Sequence, residues 1–333
     1  MKGIFILGTD AYHDIYSDEI RQAIDDLVEI IAPQQTRESI RNRMDLLRDV
    51  DFIFTGWGGP VLDETFLAFA PNLKAVFYGA GSIKGIVTDA FWERNIPITS
   101  AYAANAVPVA EYTLSQILFA LKGGWHLAWK IKKEGAYPGG REKKEWVTGA
   151  YGSTVGIVSL GMVGRRVCQL LQPFDLKVVA YDPFVSEQTA TELNVELCSL
   201  EELFARADVV SLHTPWLKET EGMITGRLIS SMKRHATLIN TARGAIIRED
   251  EMIDVLRQRQ DLTAILDVTW PEPPVAGSPL YTLPNVVLTP HIAGSLNREC
   301  ARMGQLVVDE LKRYLNGEPL RWAVTRERAA IMA

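Results

Sequence analysis

The sequence predicts an α/β protein with parallel, doubly wound sheets in two domains. Three observations lead to this prediction. Short apolar runs alternate with helical stretches along the chain, and several of these runs end in glycine-rich turns. In addition, 333 residues with 47% hydrophobic side chains exceed one ordinary domain and suffice for two cores. The alternation of strand and helix indicates a sheet covered on both faces.

In the first part of the chain, the apolar run from Gly3 to Gly8 predicts the first strand. A helix is expected next, because apolar residues recur at helical spacing before Pro33, namely Ile20, Ile24, Leu27 and Ile31. Two more strands are predicted at residues 51–55 and 73–78, closed by the turns at residues 56–60 and 79–82.

The segment from Ala104 to Leu121 is apolar and helical in period, and the stretch from Lys130 to Gly152 is charged and glycine-rich. We interpret this change as the passage from one domain to the other, with the basic run of Arg141, Lys143 and Lys144 in a solvated loop. Further strands are predicted at residues 155–160, 177–181, 209–213, 236–240, 264–268 and 285–288. An amphipathic helix at residues 301–315 follows them.

Charge and cysteine content argue against several classes of function. A net charge of −6 and a pI near 5.5 give no clustered basic face for nucleic acid or anionic lipid. No apolar run is long enough to span a bilayer, so no membrane partner is expected. The three cysteines have no metal-ligand spacing, which predicts no metal site and favours a reducing, cytoplasmic compartment.

The segment from Ser159 to Gly164, here called the phosphate turn, follows a predicted strand and opens a predicted helix. This arrangement suits a dinucleotide pyrophosphate, and we expect Ser159 to replace the first glycine at negative φ. Asp182 ends the next strand, where a carboxylate binds ribose hydroxyls and favours NAD over NADP. A tight strand–helix turn without a ligand is the alternative.

Three groups suited to reduction of a keto group lie in the second half of the chain, each after a predicted strand. They are Arg243, a carboxylate in the segment from Asp267 to Glu272, and His291. A cation can polarise a carbonyl or bind a carboxylate, and a histidine can donate a proton near neutral pH. Because the carboxyl ends of parallel strands share one edge of the sheet, we expect these groups to lie together.

With these motifs the chain resembles the D-isomer-specific 2-hydroxyacid dehydrogenase family. The matching segments are Gly79-Ala80-Gly81, Val109-Ala110-Glu111, the phosphate turn, Asp182, Leu212-His213-Thr214-Pro215, residues 240–244, Glu272-Pro273 and Pro290-His291. The resemblance implies two Rossmann-like domains, with the NAD-binding domain (residues 103–294) inserted into a flavodoxin-like substrate domain (residues 1–102 and 295–333). Hinges are then expected near residues 102 and 295.

The resemblance also implies residue roles. Arg243 would bind the substrate carboxylate and carbonyl oxygen, His291 would be the general acid and base, and Glu272 would orient His291. The positions implied for NAD are Ser159, Gly161, Met162, Val163, Gly164, Asp182, His213, Thr214, Pro215, Thr241, Ala242, Arg243, Asp267, His291 and Gly294. Those expected to contact substrate are Trp57, Gly79, Ala80, Gly81, Ser82 and Asn105, with Arg243 and His291. For Trp57, packing beneath the turn is an equally compatible role. For Asn105, the equally compatible role is packing at the hinge.

The resemblance implies an NAD-dependent oxidoreductase that transfers a hydride between NAD(H) and a small 2-keto acid or D-2-hydroxy acid. Substrates from glyoxylate and hydroxypyruvate to phosphoglycerate stay open, although no cationic cluster for a phosphate is evident. Glu272 argues against a formate dehydrogenase, which carries glutamine there. The alternative from another class is an NAD(H)-sensing interaction protein of corepressor type. The segment from Lys130 to Gly152, with Trp146, is a candidate arm for a homodimer.

Overall fold

A computed structural model describes residues 1–332 of the chain. These residues form two compact units. The first unit comprises residues 1–105 and 295–332, and the second unit comprises residues 106–294.

Twelve strands are assigned within residues 1–332. They are β1 (Lys2–Ile6), β2 (Glu29–Ile30), β3 (Phe52–Thr55), β4 (Ala75–Tyr78), β5 (Ile98–Ser100), β6 (Thr154–Val158), β7 (Lys177–Tyr181), β8 (Glu196–Leu197), β9 (Val209–Leu212), β10 (Thr237–Asn240), β11 (Thr263–Leu266) and β12 (Val286–Leu288).

The α-helices are α1 (Thr9–Ile15), α2 (Asp18–Asp25), α3 (Arg37–Arg41), α4 (Glu64–Phe69), α5 (Asp89–Glu93), α6 (Tyr102–Leu121), α7 (Gly124–Glu134), α8 (Gly140–Trp146), α9 (Met162–Leu171), α10 (Glu187–Glu192), α11 (Leu200–Arg206), α12 (Gly226–Ser230), α13 (Glu249–Gln258), α14 (Ala301–Leu315) and α15 (Arg326–Ile331). Short 3₁₀ segments lie at Met44–Asp49, Gly244–Ile246, Pro279–Tyr281 and Asn297–Cys300.

The first unit is built on a five-stranded sheet in the order β2-β1-β3-β4-β5, and every strand pair is parallel. All four residues of β3 and of β4 are buried, as expected for strands covered on both faces. One apolar core joins these strands to α14, whose Met303, Val307 and Leu311 are fully buried. The strand order is that of flavodoxin-like sheets.

The second unit is built on a seven-stranded parallel sheet in the order β12-β11-β10-β9-β6-β7-β8. Two separate apolar clusters cover the sheet, and helix α6 contributes Ala110, Ile117 and Leu121 to one of them. The predicted class, two α/β domains on parallel sheets, is confirmed. Strand order reverses at β6, between β9 and β7, and ligands of such sheets bind beyond the carboxyl ends at this point.

Two local predictions are wrong. The helix expected through Ile31 ends at Asp25, and Glu29 and Ile30 instead pair with β1 as a short edge strand. Leu27 and Ile31 still pack on the core, which explains their apolar spacing. The short edge strands β2, β5 and β8 were not predicted.

The stretch expected to be a solvated loop contains two helices, α7 and α8, and the basic run Arg141 to Lys144 lies in α8. Lys130 lies within ion-pair distance of Glu134 one turn later and of Glu142 on α8, and such contacts support helices whose side chains stay exposed. Among the helices of residues 1–332, none has the length and apolar character needed to cross a membrane.

Candidate active site

The phosphate turn connects β6 to α9 at the switch point of the second sheet. Gly161 is the N-cap of α9, and because glycine has no side chain, the first N–H groups of this helix receive no side-chain hydrogen bond. A Cβ at Gly161 would meet nothing within 4 Å, whereas a Cβ at Gly164 would lie 2.1 Å from the Ser159 carbonyl oxygen. Gly161 therefore leaves space beside the turn, and Gly164 allows the helix to approach it. Met162 and Val163 begin the helix.

Ser159 lies at φ +77°, so the expected negative φ is wrong. The tight turn from β6 into α9 places its first residue in the left-handed region, which costs a non-glycine residue free energy. Hydrogen bonds offset this cost: the Ser159 N–H donates to the Tyr181 carbonyl (2.8 Å), and its hydroxyl lies 3.4 Å from Asp182 Oδ2.

Asp182 holds the phosphate turn in place. Its Oδ2 accepts the Leu160 N–H at 2.7 Å, and its Oδ1 accepts the Phe184 N–H at 2.9 Å. The side chain is only partly buried, so lone pairs of both oxygens stay available beside these bonds. Its position is compatible with the predicted role at a ribose.

His213, Thr214 and Pro215 follow β9, next to β6. Burial lowers the pKa of His213 to about 3, so its ring is neutral at physiological pH, and Nε2 lies 3.0 Å from the Ser211 hydroxyl. The buried hydroxyl of Thr214 has no hydrogen-bond partner among residues 1–332. A buried polar atom of this kind normally has a partner, so it fits a polar ligand atom.

The loop after β10 carries Arg243. Asn240, fully buried, shapes this loop by accepting the Ala242 N–H at 3.0 Å and donating to the Arg243 carbonyl at 2.9 Å. Burial lowers the pKa of Arg243, and the charge of Glu272 opposes that effect. Within residues 1–332, no carboxylate lies within 4.0 Å of its guanidinium. A half-buried cation without a counterion is suited to bind an anion.

Gly244 packs directly on the loop that carries Glu272. A Cβ at Gly244 would lie 2.0 Å from the Thr269 carbonyl carbon and 2.5 Å from the Trp270 nitrogen, so only glycine fits. Three residues before Gly244, the hydroxyl of Thr241 lies 3.3 Å from the hydroxyl of Thr113 on α6. The Arg243 and Glu272 loops are thus packed against each other.

His291 and Glu272 form a hydrogen-bonded pair, with Nδ1 of the ring 2.6 Å from Glu272 Oε1. Their side chains are 51% and 39% exposed in this structure, so the pair is accessible. Because Nδ1 is engaged by the carboxylate, Nε2 is the ring atom left to give or take a proton.

His291 lies at φ +54° in the loop of residues 289–294, here called the His291 loop. Asp267, 2% exposed, organises this loop: Oδ1 accepts the Ile292 N–H (2.9 Å) and the Thr289 hydroxyl (2.6 Å), and Oδ2 accepts the Ala293 N–H (2.9 Å). The Asp267 carbonyl accepts the His291 N–H at 3.0 Å. The Asp267 side chain is therefore occupied in holding His291, and a contact with NAD stays a prediction. Gly294 ends the unit, half-buried.

Two aromatic residues lie beside the loops that carry Arg243 and Glu272. Trp270, 51% exposed, packs edge-on against Trp216 with ring centroids 4.6 Å apart. The main-chain N–H of Trp270 donates to Glu249 Oε2 at 3.1 Å, and burial raises the pKa of Glu249. This contact ties the Glu272 loop to helix α13.

The first unit carries the other predicted substrate residues. The loop of Gly79, Ala80, Gly81 and Ser82 follows β4, and the Ser100 hydroxyl bonds the carbonyls of Ala80 and Gly81. Within residues 1–332, no acceptor receives the main-chain N–H groups of Ala80, Gly81 and Ser82. Such a row of free donors suits a carboxylate.

For Trp57 and Asn105, the sequence left both a packing role and a substrate contact open. Trp57 is 39% exposed in the loop after β3, so it is not buried under its turn. Asn105 Oδ1 accepts the Ser295 N–H at 2.9 Å, so the packing role is observed and a substrate contact stays a prediction. The predicted residues of the first unit are thus grouped on the loops after β3 and β4, apart from Asn105 on α6.

Sequence reasoning did not assign roles to Tyr112, Thr289, Asn240 or Glu249, which shape the loops carrying the predicted catalytic residues. The Tyr112 hydroxyl lies 2.9 Å from Thr289 Oγ1. A local signal existed for Thr289, a hydroxyl residue two positions before His291 at a strand end. Tyr112 lies 177 positions from its partner, and no local pattern indicates such a contact.

The residues of the second unit fit a dinucleotide. The helix end without a side-chain cap, the open space at Gly161, the partly buried Asp182 and the unpaired Thr214 hydroxyl provide donors, space and acceptors for pyrophosphate, ribose and a polar ring substituent. Among residues 1–332, no group of three or more His, Cys, Asp or Glu side chains is arranged to hold a metal ion.

Comparison with known families matches residues 115–293 to the NAD-binding domain of D-isomer-specific 2-hydroxyacid dehydrogenases. This match includes the phosphate turn, Arg243, Glu272 and His291. It covers more than half of the chain.

Curated relatives agree with this match. The chain is 30% identical over 316 residues to a D-3-phosphoglycerate dehydrogenase of Methanocaldococcus jannaschii, covering 94% of the chain and 58% of the relative. It is 35% identical over 257 residues to an (S)-sulfolactate dehydrogenase of Chromohalobacter salexigens, covering 76% of the chain and 81% of the relative. The chain spans about half the length of the phosphoglycerate dehydrogenases it matches.

Among solved structures, the fold matches a D-isomer-specific 2-hydroxyacid dehydrogenase from Lactobacillus delbrueckii ssp. bulgaricus in its NAD-complexed form. The TM-score is 0.81 at 22% identity, over 98% of this chain and 100% of that one. At this identity the similarity concerns the fold.

Proposed function

Since the chain belongs to the D-isomer-specific 2-hydroxyacid dehydrogenase family, we propose that it catalyses reversible hydride transfer between NAD(H) and a small 2-keto acid, giving the D-2-hydroxy acid. The family domain that it contains is an NAD-binding domain, which confirms NAD as the predicted cofactor. The observation that carries the proposal is the hydrogen-bonded His291–Glu272 pair, in which Glu272 lies on a loop packed against the one that carries Arg243.

Each residue has a role in this proposal. The nicotinamide, when bound, supplies or accepts the hydride. Arg243 binds the carboxylate and polarises the keto oxygen, because a desolvated guanidinium stabilises negative charge as it develops there. His291 gives the proton to that oxygen from Nε2 and takes it back in the reverse direction, while Glu272 fixes the ring through Nδ1.

The other predicted residues bind the cofactor and the substrate. When NAD is bound, the uncapped N–H groups at the start of α9 would hold its pyrophosphate, Asp182 its ribose, and the Thr214 hydroxyl one of its polar groups. Thr241, Ala242 and Gly294 line the same site. Within the first unit, the N–H groups of the Gly79–Ser82 loop are suited to bind an anionic group, and Trp57 lies exposed on the loop after β3.

The identity of the 2-keto acid is the finer part of the proposal. The named relatives act on acids with a phosphate or sulfonate tail. In this chain residues 56–62, which follow β3, include Trp57 between glycines and no charged residue, and the nearby Arg37 is engaged by the Gly59 carbonyl, which favours a small or uncharged tail. Phosphoglycerate is the second candidate, supported by the relatives' name.

The test is NADH oxidation, followed by absorbance, with glyoxylate, hydroxypyruvate, pyruvate, phenylpyruvate and 3-phosphohydroxypyruvate. NADPH and the His291→Ala variant serve as controls. We expect turnover with NADH on one size class and its loss in the variant. Tight NADH binding without turnover of any 2-keto acid would instead support the NAD(H)-sensing interaction protein.

A homodimer is part of the same proposal. The segment 124–146 forms two helices without a buried side chain, and its Trp129 and Tyr137 are 38% and 86% exposed. Trp146 does not belong to this exposed set, since it stacks on His126 at 3.4 Å and packs near His235. A monomeric mass in light scattering at micromolar concentration would exclude the dimer.

The compartment is likewise proposed. Cys168, Cys198 and Cys300 are free, and burial raises the pKa of each thiol, which suits a reducing compartment such as the cytoplasm. Fractionation of the native cell tests this placement.

A further inference from the structure

The His291 loop receives support from helix α6 that the proposed chemistry does not use. Tyr112 lies in the middle of this 20-residue helix, and its hydroxyl is 2.9 Å from Thr289 Oγ1. Neighbouring residues of the same helix, Ala110 and Ile117, are fully buried in the core of the second unit. The hydroxyl of Tyr112 is therefore carried by an element that is fixed by packing.

The direction of this hydrogen bond follows from proton counting. Thr289 Oγ1 has one proton, and it donates that proton to Asp267 Oδ1 at 2.6 Å, because an ionised carboxylate only accepts. Tyr112 must then be the donor to Thr289 Oγ1. Burial raises the pKa of Tyr112, so the phenol keeps the proton it donates. The result is one chain of bonds, from Tyr112 through Thr289 to Asp267.

The same Asp267 carboxylate receives the N–H groups of Ile292 and Ala293, the two residues that follow His291. His291 lies at φ +54°, a conformation that persists only when its surroundings fix it. Hydrogen bonds that polarise one another in a buried chain strengthen one another. Loss of the outermost donor thus weakens the hold on the carboxylate that fixes the loop.

We propose that Tyr112 is a positioning residue, which acts through Thr289 and Asp267 to fix the direction of the His291 imidazole toward Glu272. The proposal rests on the proposed function, since it assigns Tyr112 to the same proton-transfer site. Within residues 1–332, no hydrogen bond joins Tyr112 to His291 or Glu272, and the hydrogen-bonded route from Tyr112 to Asp267 runs through Thr289 Oγ1.

The test combines four variants. Tyr112→Phe removes the donor, Thr289→Val removes the relay, Thr289→Ser keeps a hydroxyl, and Tyr151→Phe is the matched control at an 87% exposed site of the same unit. We expect Tyr112→Phe to lower kcat about tenfold, as displacements of a catalytic group do, with the Kd for NADH unchanged. Thr289→Ser should stay close to the original chain.

A double variant tests the route of the effect. If the contribution of Tyr112 passes through Thr289, Tyr112→Phe combined with Thr289→Val has the same kcat as Thr289→Val alone. Additive losses would overturn the proposal. So would a Tyr112→Phe variant that loses only thermal stability and keeps its kcat.

A readout without turnover separates this proposal from the proposed function. The imidazole NMR signal of His291, identified by its absence in His291→Gln, should shift or broaden in Tyr112→Phe and Thr289→Val and stay in Thr289→Ser and Tyr151→Phe. An unchanged signal would overturn the proposal even if no 2-keto acid turns over. Should Tyr112→Phe fail to fold, the Thr289→Val and Thr289→Ser pair decides by the same signal.

Discussion

Two turns of the second unit place a non-glycine residue in the left-handed region shortly after a parallel strand, Ser159 at φ +77° and His291 at φ +54°. In each case the aspartate that ends a neighbouring strand holds the turn. Asp182 does so for the phosphate turn, and Asp267 does so for the His291 loop. At both turns, a residue with positive φ is thus stabilised by main-chain N–H groups that bond to a nearby aspartate.

The two aspartates differ in how fully they are used. Asp182 is partly buried, and beside two main-chain N–H groups it accepts only a long 3.4 Å contact from the Ser159 hydroxyl, which leaves room for a ligand. Asp267 is 2% exposed and accepts three donors on its carboxylate. The phosphate turn, which offers main-chain groups, is thus held by a partly exposed carboxylate. A turn that must aim one side chain is fixed by a fully used, buried carboxylate.

The largest expected difference is in turnover. His291→Gly should lower kcat by about 10²- to 10⁴-fold, because it removes the proposed general acid, while Ser159→Gly changes kcat little. Steady-state assays with the best 2-keto acid measure both values. If the two variants lost activity equally, it would be wrong to assign cofactor binding to the phosphate turn and proton transfer to the His291 loop.

The next largest expected difference is in the free energy of unfolding when each supporting aspartate is replaced. Asp267→Asn should lower the free energy of unfolding by about 2–4 kcal/mol, because an amide nitrogen would face a main-chain donor in a buried site. Asp182→Asn should lower it by about 1 kcal/mol, since that site is partly exposed. Urea denaturation of both variants provides the measurement, and equal losses would contradict the comparison.

Within the phosphate turn, two glycines separate folding from binding. Gly164→Ala should lower the free energy of unfolding by about 1–3 kcal/mol, because its Cβ would lie 2.1 Å from a carbonyl oxygen. Gly161→Ala should leave stability unchanged and raise the Kd for NADH on the order of tenfold, since its Cβ occupies the open side of the turn. Calorimetry and urea denaturation test both. Unchanged NADH affinity in Gly161→Ala would argue against a phosphate there.

The smallest effect concerns the strain itself. Ser159→Gly should raise the free energy of unfolding by about 0.5 kcal/mol, because relief of positive φ slightly outweighs the added entropy of the unfolded chain. Thermal denaturation at matched protein concentration measures it. A loss of stability would show that the 3.4 Å contact between Ser159 and Asp182 outweighs the strain.

The sequence predicted the sheets and the group of catalytic candidates because both leave local signals. Buried parallel strands are short apolar runs, and Arg243, Glu272 and His291 stand in loops directly after such runs. The structure indeed brings Glu272 and His291 within hydrogen-bonding distance. Strand ends share one edge of a parallel sheet, so position along the chain translates into proximity.

The misses also have physical causes. The edge strands β2 and β8 have two residues each, too few for a periodic signal. The φ of Ser159 depends on the angle between β6 and α9, which only the assembled sheet sets. Helices α7 and α8 have no buried face, so they lack the apolar period that identifies a helix.

The contact between Tyr112 and Thr289 has a consequence for biosynthesis. The two residues are 177 positions apart, so at about 5–20 residues per second a ribosome needs roughly 10 to 35 s to add the second after the first. During that interval the strands of the first sheet up to β5 are already made, whereas the His291 loop does not exist. The chain therefore passes through most of its own synthesis before the His291–Glu272 pair can assemble.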